Sequence, residues 1–436
     1  MNYYKSDKYS RQQQDRRNWQ NQTNPDSYYP DETFFFEEKL GGNKIKPFLF
    51  VLLLIDVAWM LYMATGAIRS NSIPFWVGLI PIIVTWLILI PPAMFNRRLV
   101  FSFSMNRLAL LWFLTGTVLS LLNHTDMKNG ILRIIGFITM AMIGYILLPA
   151  AYSWDKIMRG LRWVLVWGAT ISLLMCISNL DNSGIFYNPN TMGIVALMGL
   201  IALGGALPKK NRYLFFYIGL LIFLGIILLV SRSRTAIAGA VVCGLFVFWQ
   251  YRKKFSMWFM AMATAGLLLA FSLSTTYQGV TLLYSILHKS GAGSIQMDEL
   301  TTGRMEIWRD MLRLRKGNEI TGRGIGTMVS FYEAHPHSTY VAMWVELGNI
   351  GFPGFLLWVI VTVWQAKRIR KYCDLQAMAL TQNMFLMLLG IAIICVFEHM
   401  LGGVLGLAPF VFWITAGAIS NAYAQAKRDG FLCVGT

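Results

Sequence analysis

The residues best suited to chemistry in this chain are arginines and histidines, and they fall in short stretches. S-R-S-R, Ser231–Arg234, sets Arg232 and Arg234 between two long apolar runs. Charge at a membrane edge marks a functional site by default, although arginines can also snorkel to headgroups. A second stretch, T-G-R-M-E-I-W-R, places Arg304 after Gly303, at the start of a segment whose Met305, Trp308, Met311 and Leu312 recur at helical spacing. Helix N-termini favour anions, and the preceding glycine lets backbone approach a ligand closely. Arg309 and Arg313 occupy other faces of this helix, as expected of an amphipathic helix lying on anionic headgroups. A third stretch, A-H-P-H-S-T-Y, sets His335 and His337 just before a short apolar helix containing Glu346, which ends in a Gly/Pro break. A histidine there can accept a proton from a hydroxyl. Two histidines with no third ligand at a convincing spacing do not make a metal site. Between the second and third stretches lies Gly322-Arg323-Gly324-Ile325-Gly326. Its glycines suit a backbone segment near a ligand, but it lacks the lysine of a phosphate loop and follows no strand.

These residues must be positioned by membrane helices. The chain has 436 residues, of which 56% are apolar and only 14% charged. Uncharged stretches recur from Pro47 to Asn421, many close to the roughly 20 residues that cross a bilayer as a helix. Backbone amides in lipid must pair within their own segment, and the runs are continuous rather than alternating, so a barrel is excluded. The expected fold is an all-α polytopic membrane protein of about twelve transmembrane helices. The expected spans are Pro47–Ala67, Pro74–Met94, Leu108–Leu122, Ile131–Ala151, Leu161–Leu180, Thr191–Leu207, Tyr213–Val230, Thr235–Tyr251, Phe255–Leu273, Ile350–Ala366, Met384–Phe397 and Val404–Asn421. Residues 1–44 form a polar cytoplasmic tail, 45–273 carry spans one to nine, 274–349 form a large extracytoplasmic loop, 350–422 carry the last three spans, and 423–436 form a second tail.

The formal charge of +17 does not point to nucleic acid, because most lysines and arginines cluster in short loops between apolar runs. Arg97–Arg98, Lys209–Arg212, Arg252–Lys254 and Lys367–Lys371 all fall on one side when the N-terminus is cytoplasmic, which puts both termini inside. Arg232 and Arg234 then lie outside, against the charge rule, and removing either flanking span would invert every later loop. The five cysteines show neither paired nor metal-type spacing.

The ordered set of motifs resembles the O-antigen ligase superfamily, which includes O-antigen ligases, some polysaccharide polymerases and related wall-polymer ligases. The matching residues are S-R-T-A at Ser233–Ala236, G-R-x-x-x-W at Gly303–Trp308, G-x-G at Gly324–Gly326 and H-S-T-Y…E-L-G-x-x-G at His337–Gly351, with F-Y-N-P-N at Phe186–Asn190. The resemblance covers residues 181–354 and implies a GT-C-type glycosyltransferase of the inner or plasma membrane with no cofactor. It implies a donor glycan on undecaprenyl diphosphate, a glycolipid or glycan acceptor, membrane lipids as surroundings, and metal-independent chemistry on the extracytoplasmic face. By position it assigns Arg234, Arg304 and His337 to catalysis and Asn190 to the substrate site. Ser338 stands where the family commonly has asparagine, and His335 and Arg232 remain second candidates beside His337 and Arg234.

On this reading Arg234 and Arg304 clamp the diphosphate, since a planar, permanently charged guanidinium suits phosphate oxygens. His337 removes the acceptor's proton in a single inverting displacement. Arg323, Tyr340 and Glu346 are further candidates at the substrate. A polymerase would use the same donor. A transporter is the alternative from another class, but the chain shows no convincing repeat. Asp56 is the main acidic residue inside an early span, while Glu398 and His399 lie near an outer end.

Overall fold

The computed structural model describes residues 104–151, 154–179, 189–204, 211–231, 233–251, 304–328, 337–369, 375–401 and 407–428, with isolated positions between 77 and 87. The expected spans Pro47–Ala67 and Phe255–Leu273, the N-terminal tail, Arg232 and His335 lie outside the described residues, as does most of the expected span Pro74–Met94.

Among the described residues every regular element is a helix: α1 (Met105–Leu119), α2 (Met127–Met142), α3 (Trp154–Asn179), α4 (Pro189–Gly204), α5 (Asn211–Val230), α6 (Arg234–Tyr251), α7 (Arg304–Leu314), α8 (Thr339–Ile369), α9 (Leu375–Phe397) and α10 (Leu407–Arg428). A π turn, Ile143–Leu147, prolongs α2. Four of the described helices are long and apolar enough to cross a membrane, Met105–Asn123, Met127–Ile146, Thr339–Ile369 and Leu407–Ala424. Large apolar side chains such as Leu111, Phe215, Ile222 and Leu245 face outward, whereas Asn106, Thr362, Gln365 and Asn383 are buried. That is the surface of an integral membrane protein.

Since lipid tails are as apolar as leucine, close backbone approach and internal hydrogen bonds must hold such helices together. Both are present. A Cβ on Gly116 of α1 would lie 2.3 Å from Gly351 Cα of α8, and one on Gly417 of α10 would lie 1.9 Å from the Gly144 carbonyl oxygen in the π turn. Trp358 packs on Trp413 with ring centroids 4.4 Å apart and stacks on Phe113 at 5.7 Å. Its Nε1 donates to Tyr145 Oη (2.7 Å), which donates to Asn106 Oδ1 (2.9 Å). Asn106 Nδ2 donates in turn to Thr362 Oγ1 (2.7 Å), closing a polar network across α1, the π turn and α8.

Helix α8 is broken at Gly348, whose φ of 62° and ψ of −163° are non-helical. The break falls where the Gly/Pro signal places the end of the short Glu346 helix and the start of the tenth span. Such a break strands carbonyls on one side and amides on the other. The loop after α7 satisfies both sets. The amides of Arg323 and Gly324 donate to the carbonyls of Val345 and Glu346 (both 3.0 Å), and the amides of Asn349 and Ile350 donate to the carbonyls of Glu319 (2.8 Å) and Ile320 (3.1 Å). The G-R-G-I-G segment is thus a splint across a broken helix. Gly322 (φ 77°) lies directly against it, and a Cβ there would sit 2.2 Å from the Glu346 carbonyl oxygen.

The α1–α2 connection holds the loop from behind. Asn123 Nδ2 donates to Thr321 Oγ1 (2.7 Å) and to the Gly322 carbonyl (3.1 Å). His124 Nδ1 accepts the Asp126 amide proton (2.8 Å), so the ring proton sits on Nε2, which donates to the Ile325 carbonyl (2.9 Å).

Candidate functional site

The S-R-S-R turn forms as its residue types require. Ser231 Oγ donates back to the Leu228 carbonyl (2.7 Å) and accepts the Ser233 amide (3.3 Å), closing α5. Ser233 Oγ then accepts the Ala236 amide (3.3 Å), the N-cap of α6. Arg234 is therefore the first residue of α6, at the positive end of that helix, and its side chain lies outside what the structure describes. The turn packs against the start of α4, where a Cβ on Gly193 would lie 2.5 Å from Ser231 Oγ and 2.6 Å from Ser233 Cβ.

One helical turn before Gly193, Asn190 Nδ2 donates to Glu398 Oε1 (2.7 Å). Arg304, the first residue of α7, donates from Nη2 to the same carboxylate oxygen (3.1 Å) and from Nη1 to the Phe397 carbonyl (2.6 Å). His337 Nδ1 lies 4.0 Å from Glu398 Oε2. The Glu398 carbonyl accepts both the amide (3.2 Å) and Oγ1 (2.9 Å) of Thr339, the first residue of α8, which locks the end of α9 to the start of α8. The starts of α4, α7 and α8, the end of α9 and, through Gly193, the start of α6 thus meet at one end of the bundle.

His337 is held in an unusual conformation. Its φ of 46° lies in the left-handed region, and no other non-glycine among the described residues has a positive φ. Such a conformation costs on the order of 1 kcal/mol and persists only where its surroundings enforce it. Ser338 beside it accepts the Val341 amide (3.3 Å), so the turn into α8 is fixed one residue after the histidine. The His337 side chain keeps 30% of its exposure, while that of Glu398 keeps 9%. A solvent-accessible imidazole thus stands over a nearly buried carboxylate.

The other sequence candidates fall elsewhere. Glu346 is fully buried behind the splint, with Oε1 accepting the Met328 amide (3.1 Å). It lies within electrostatic reach of Arg133, whose side chain rests against Gly326. Nine residues of helix after His337 amount to about 13 Å of rise, so Glu346 supports the splint rather than the histidine. Arg323 donates from Nε to the Leu314 carbonyl, tying the end of α7 to the loop. The Tyr340 hydroxyl donates to the Ala392 carbonyl (2.9 Å) and its ring packs on Phe355, which joins α8 to α9. Among the described residues no three His, Cys, Asp or Glu side chains are grouped so as to hold a metal.

Glu398 is the residue that sequence reasoning missed as a member of the site. Its signal was an acidic residue ending an apolar run, noted only as lying near an outer end. Local spacing cannot connect it to Arg304 or Asn190.

With this geometry in place, residues 218–359 match the family model described as O-antigen ligase. Over this segment the chain is similar to that family. The segment contains Arg234, Arg304 and His337, while Asn190 and Glu398 lie outside it. No curated protein matches the chain. The match supports a ligase- or polymerase-like, glycosyltransferase-type function in a membrane.

Proposed function

We propose that this chain is a metal-independent, inverting GT-C-type glycosyltransferase of about twelve membrane spans. It would transfer a glycan from undecaprenyl diphosphate to a hydroxyl of a glycolipid or cell-wall glycoconjugate. Both termini would be cytoplasmic and the site extracytoplasmic, in the inner or plasma membrane, with the domain boundaries read from the sequence. The observation that carries this reading is the convergence of Arg304, His337 and Asn190 on one carboxylate, in and beside the family-matched segment.

The chemistry follows from charge. As the acceptor oxygen bonds to the anomeric carbon, the bond to the diphosphate oxygen breaks and its electron pair leaves with undecaprenyl diphosphate. Arg304 and Arg234, each the first residue of a helix, stabilise that developing charge, and the helix termini add to it. The acceptor's proton passes to His337. Arg232 and His335, neighbours in sequence of Arg234 and His337, stay as second candidates.

A deletion strain tests the reading. Loss of a ligase leaves full-length glycan on undecaprenyl diphosphate and removes the surface conjugate. Loss of a polymerase leaves single repeat units on the carrier instead. Unchanged lipid-linked and surface glycans in the deletion strain would refute both.

A further inference from the structure

Resting on the reading above, we infer that Glu398 is a positioning residue that holds Arg304 in the donor's absence and turns to His337 when a diphosphate takes the arginine. Arg304 commits both of its terminal nitrogens to the end of α9, Nη2 to Glu398 Oε1 (3.1 Å) and Nη1 to the Phe397 carbonyl (2.6 Å). An incoming diphosphate competes with the carboxylate for the guanidinium, because the more highly charged phosphate oxygens draw the same Nη donors and repel the carboxylate beside them. The carboxylate has somewhere to go. Its other oxygen, Oε2, lies 4.0 Å from His337 Nδ1, about an ångström beyond a charge-assisted hydrogen bond. Thr339 fixes the Glu398 backbone at 2.9 Å and Asn190 keeps Oε1 at 2.7 Å, so the carboxylate pivots about Oε1 to bring Oε2 toward His337.

Closing that gap orients the imidazole with Nδ1–H toward the carboxylate and leaves Nε2 to accept the acceptor's proton. The imidazolium formed as the C–O bonds exchange then has an anion beside it. The device makes transfer ordered: donor binding releases the residue that readies the base. It also makes Glu398 a competitor of the donor, which separates this role from a purely structural one.

Two measurements on the full-length protein in nanodiscs test this. The first is the affinity for undecaprenyl diphosphate, and the second is transfer, assayed with lipid-linked glycan and acceptor membranes extracted from a deletion strain. Glu398→Gln keeps the shape and the contact with Asn190 but removes the competing charge. It is expected to bind undecaprenyl diphosphate about tenfold more tightly, the equivalent of one charge-assisted contact, while transfer at saturating donor falls at least about tenfold. Glu398→Asp is expected to restore near-wild-type binding and part of the transfer. Binding that is unchanged or weaker in Glu398→Gln overturns the inference. If Arg304→Ala binds undecaprenyl diphosphate as the wild type does, the diphosphate clamp itself fails, which is a separate outcome.

Discussion

Replacing Gly322 with alanine tests whether the loop after α7 splints the break in α8. Gly317 provides the control, because both glycines have positive φ, 84° at Gly317 and 77° at Gly322. A Cβ on Gly317 meets nothing within 4 Å, so Gly317→Ala carries only the left-handed backbone cost, about 1 kcal/mol. A Cβ on Gly322 would sit 2.2 Å from the Glu346 carbonyl oxygen and 2.5 Å from the Gly348 nitrogen. Reaching ordinary contact near 3.4 Å requires the two backbones to part by 1.2 Å (3.4 minus 2.2). That separation stretches all four loop-to-helix hydrogen bonds, now 2.8–3.1 Å, beyond useful length. At about 1 kcal/mol each, Gly322→Ala should cost roughly 2–4 kcal/mol more than Gly317→Ala. With 15 tryptophans in the chain, intrinsic fluorescence during heating in detergent is a suitable readout. Gly317→Ala is expected to lower Tm by about 2 °C and Gly322→Ala by about 5–10 °C. Equal shifts would refute the splint, and a fall in both variants larger than about 10 °C would refute the assignment of the Gly317 turn as open.

Further outcomes follow from the site. Tyr340→Phe loses one hydrogen bond to the Ala392 carbonyl, so stability should fall by about 1 kcal/mol and transfer should stay within about threefold of wild type. A loss of about a hundredfold would return Tyr340 to the substrate. Arg313→Ala removes an exposed 3.0 Å pair with Asp310 and should leave transfer and Tm unchanged within error, which distinguishes the surface arginines of α7 from Arg304. Transfer should survive exhaustive chelation with EDTA. Loss of activity that added magnesium or manganese restores would contradict metal independence.

Much of the helical frame was legible because lipid leaves the backbone so few options. The runs Tyr213–Val230 and Thr235–Tyr251 correspond to α5 and α6, Asn211–Val230 and Arg234–Tyr251, almost residue for residue. The tight S-R-S-R connection follows from serines able to cap both helix ends. Helix α10 runs on to Arg428, past the expected end of its span at Asn421, because its last turns are no longer set by hydrophobicity. The three alternating glycines announced a special backbone, but only the tertiary structure shows that it packs against a broken helix. Glu346 illustrates the same limit. A carboxylate near two histidines in sequence is carried about 13 Å along α8 and buried against the Met328 amide instead. The carboxylate that does meet His337 comes from the end of α9, and nothing local in either segment encodes that meeting.

On the proposed function, Arg304 and His337 form one transfer site. This is tested most directly by measuring glycan transfer from purified undecaprenyl-diphosphate donor in proteoliposomes containing wild type, Arg304→Ala or His337→Ala, each confirmed as folded by its melting curve. Each variant is expected to lose at least about a hundredfold in rate, as removal of an electrostatic stabiliser or a general base requires. Wild-type transfer by the folded His337→Ala protein would contradict it.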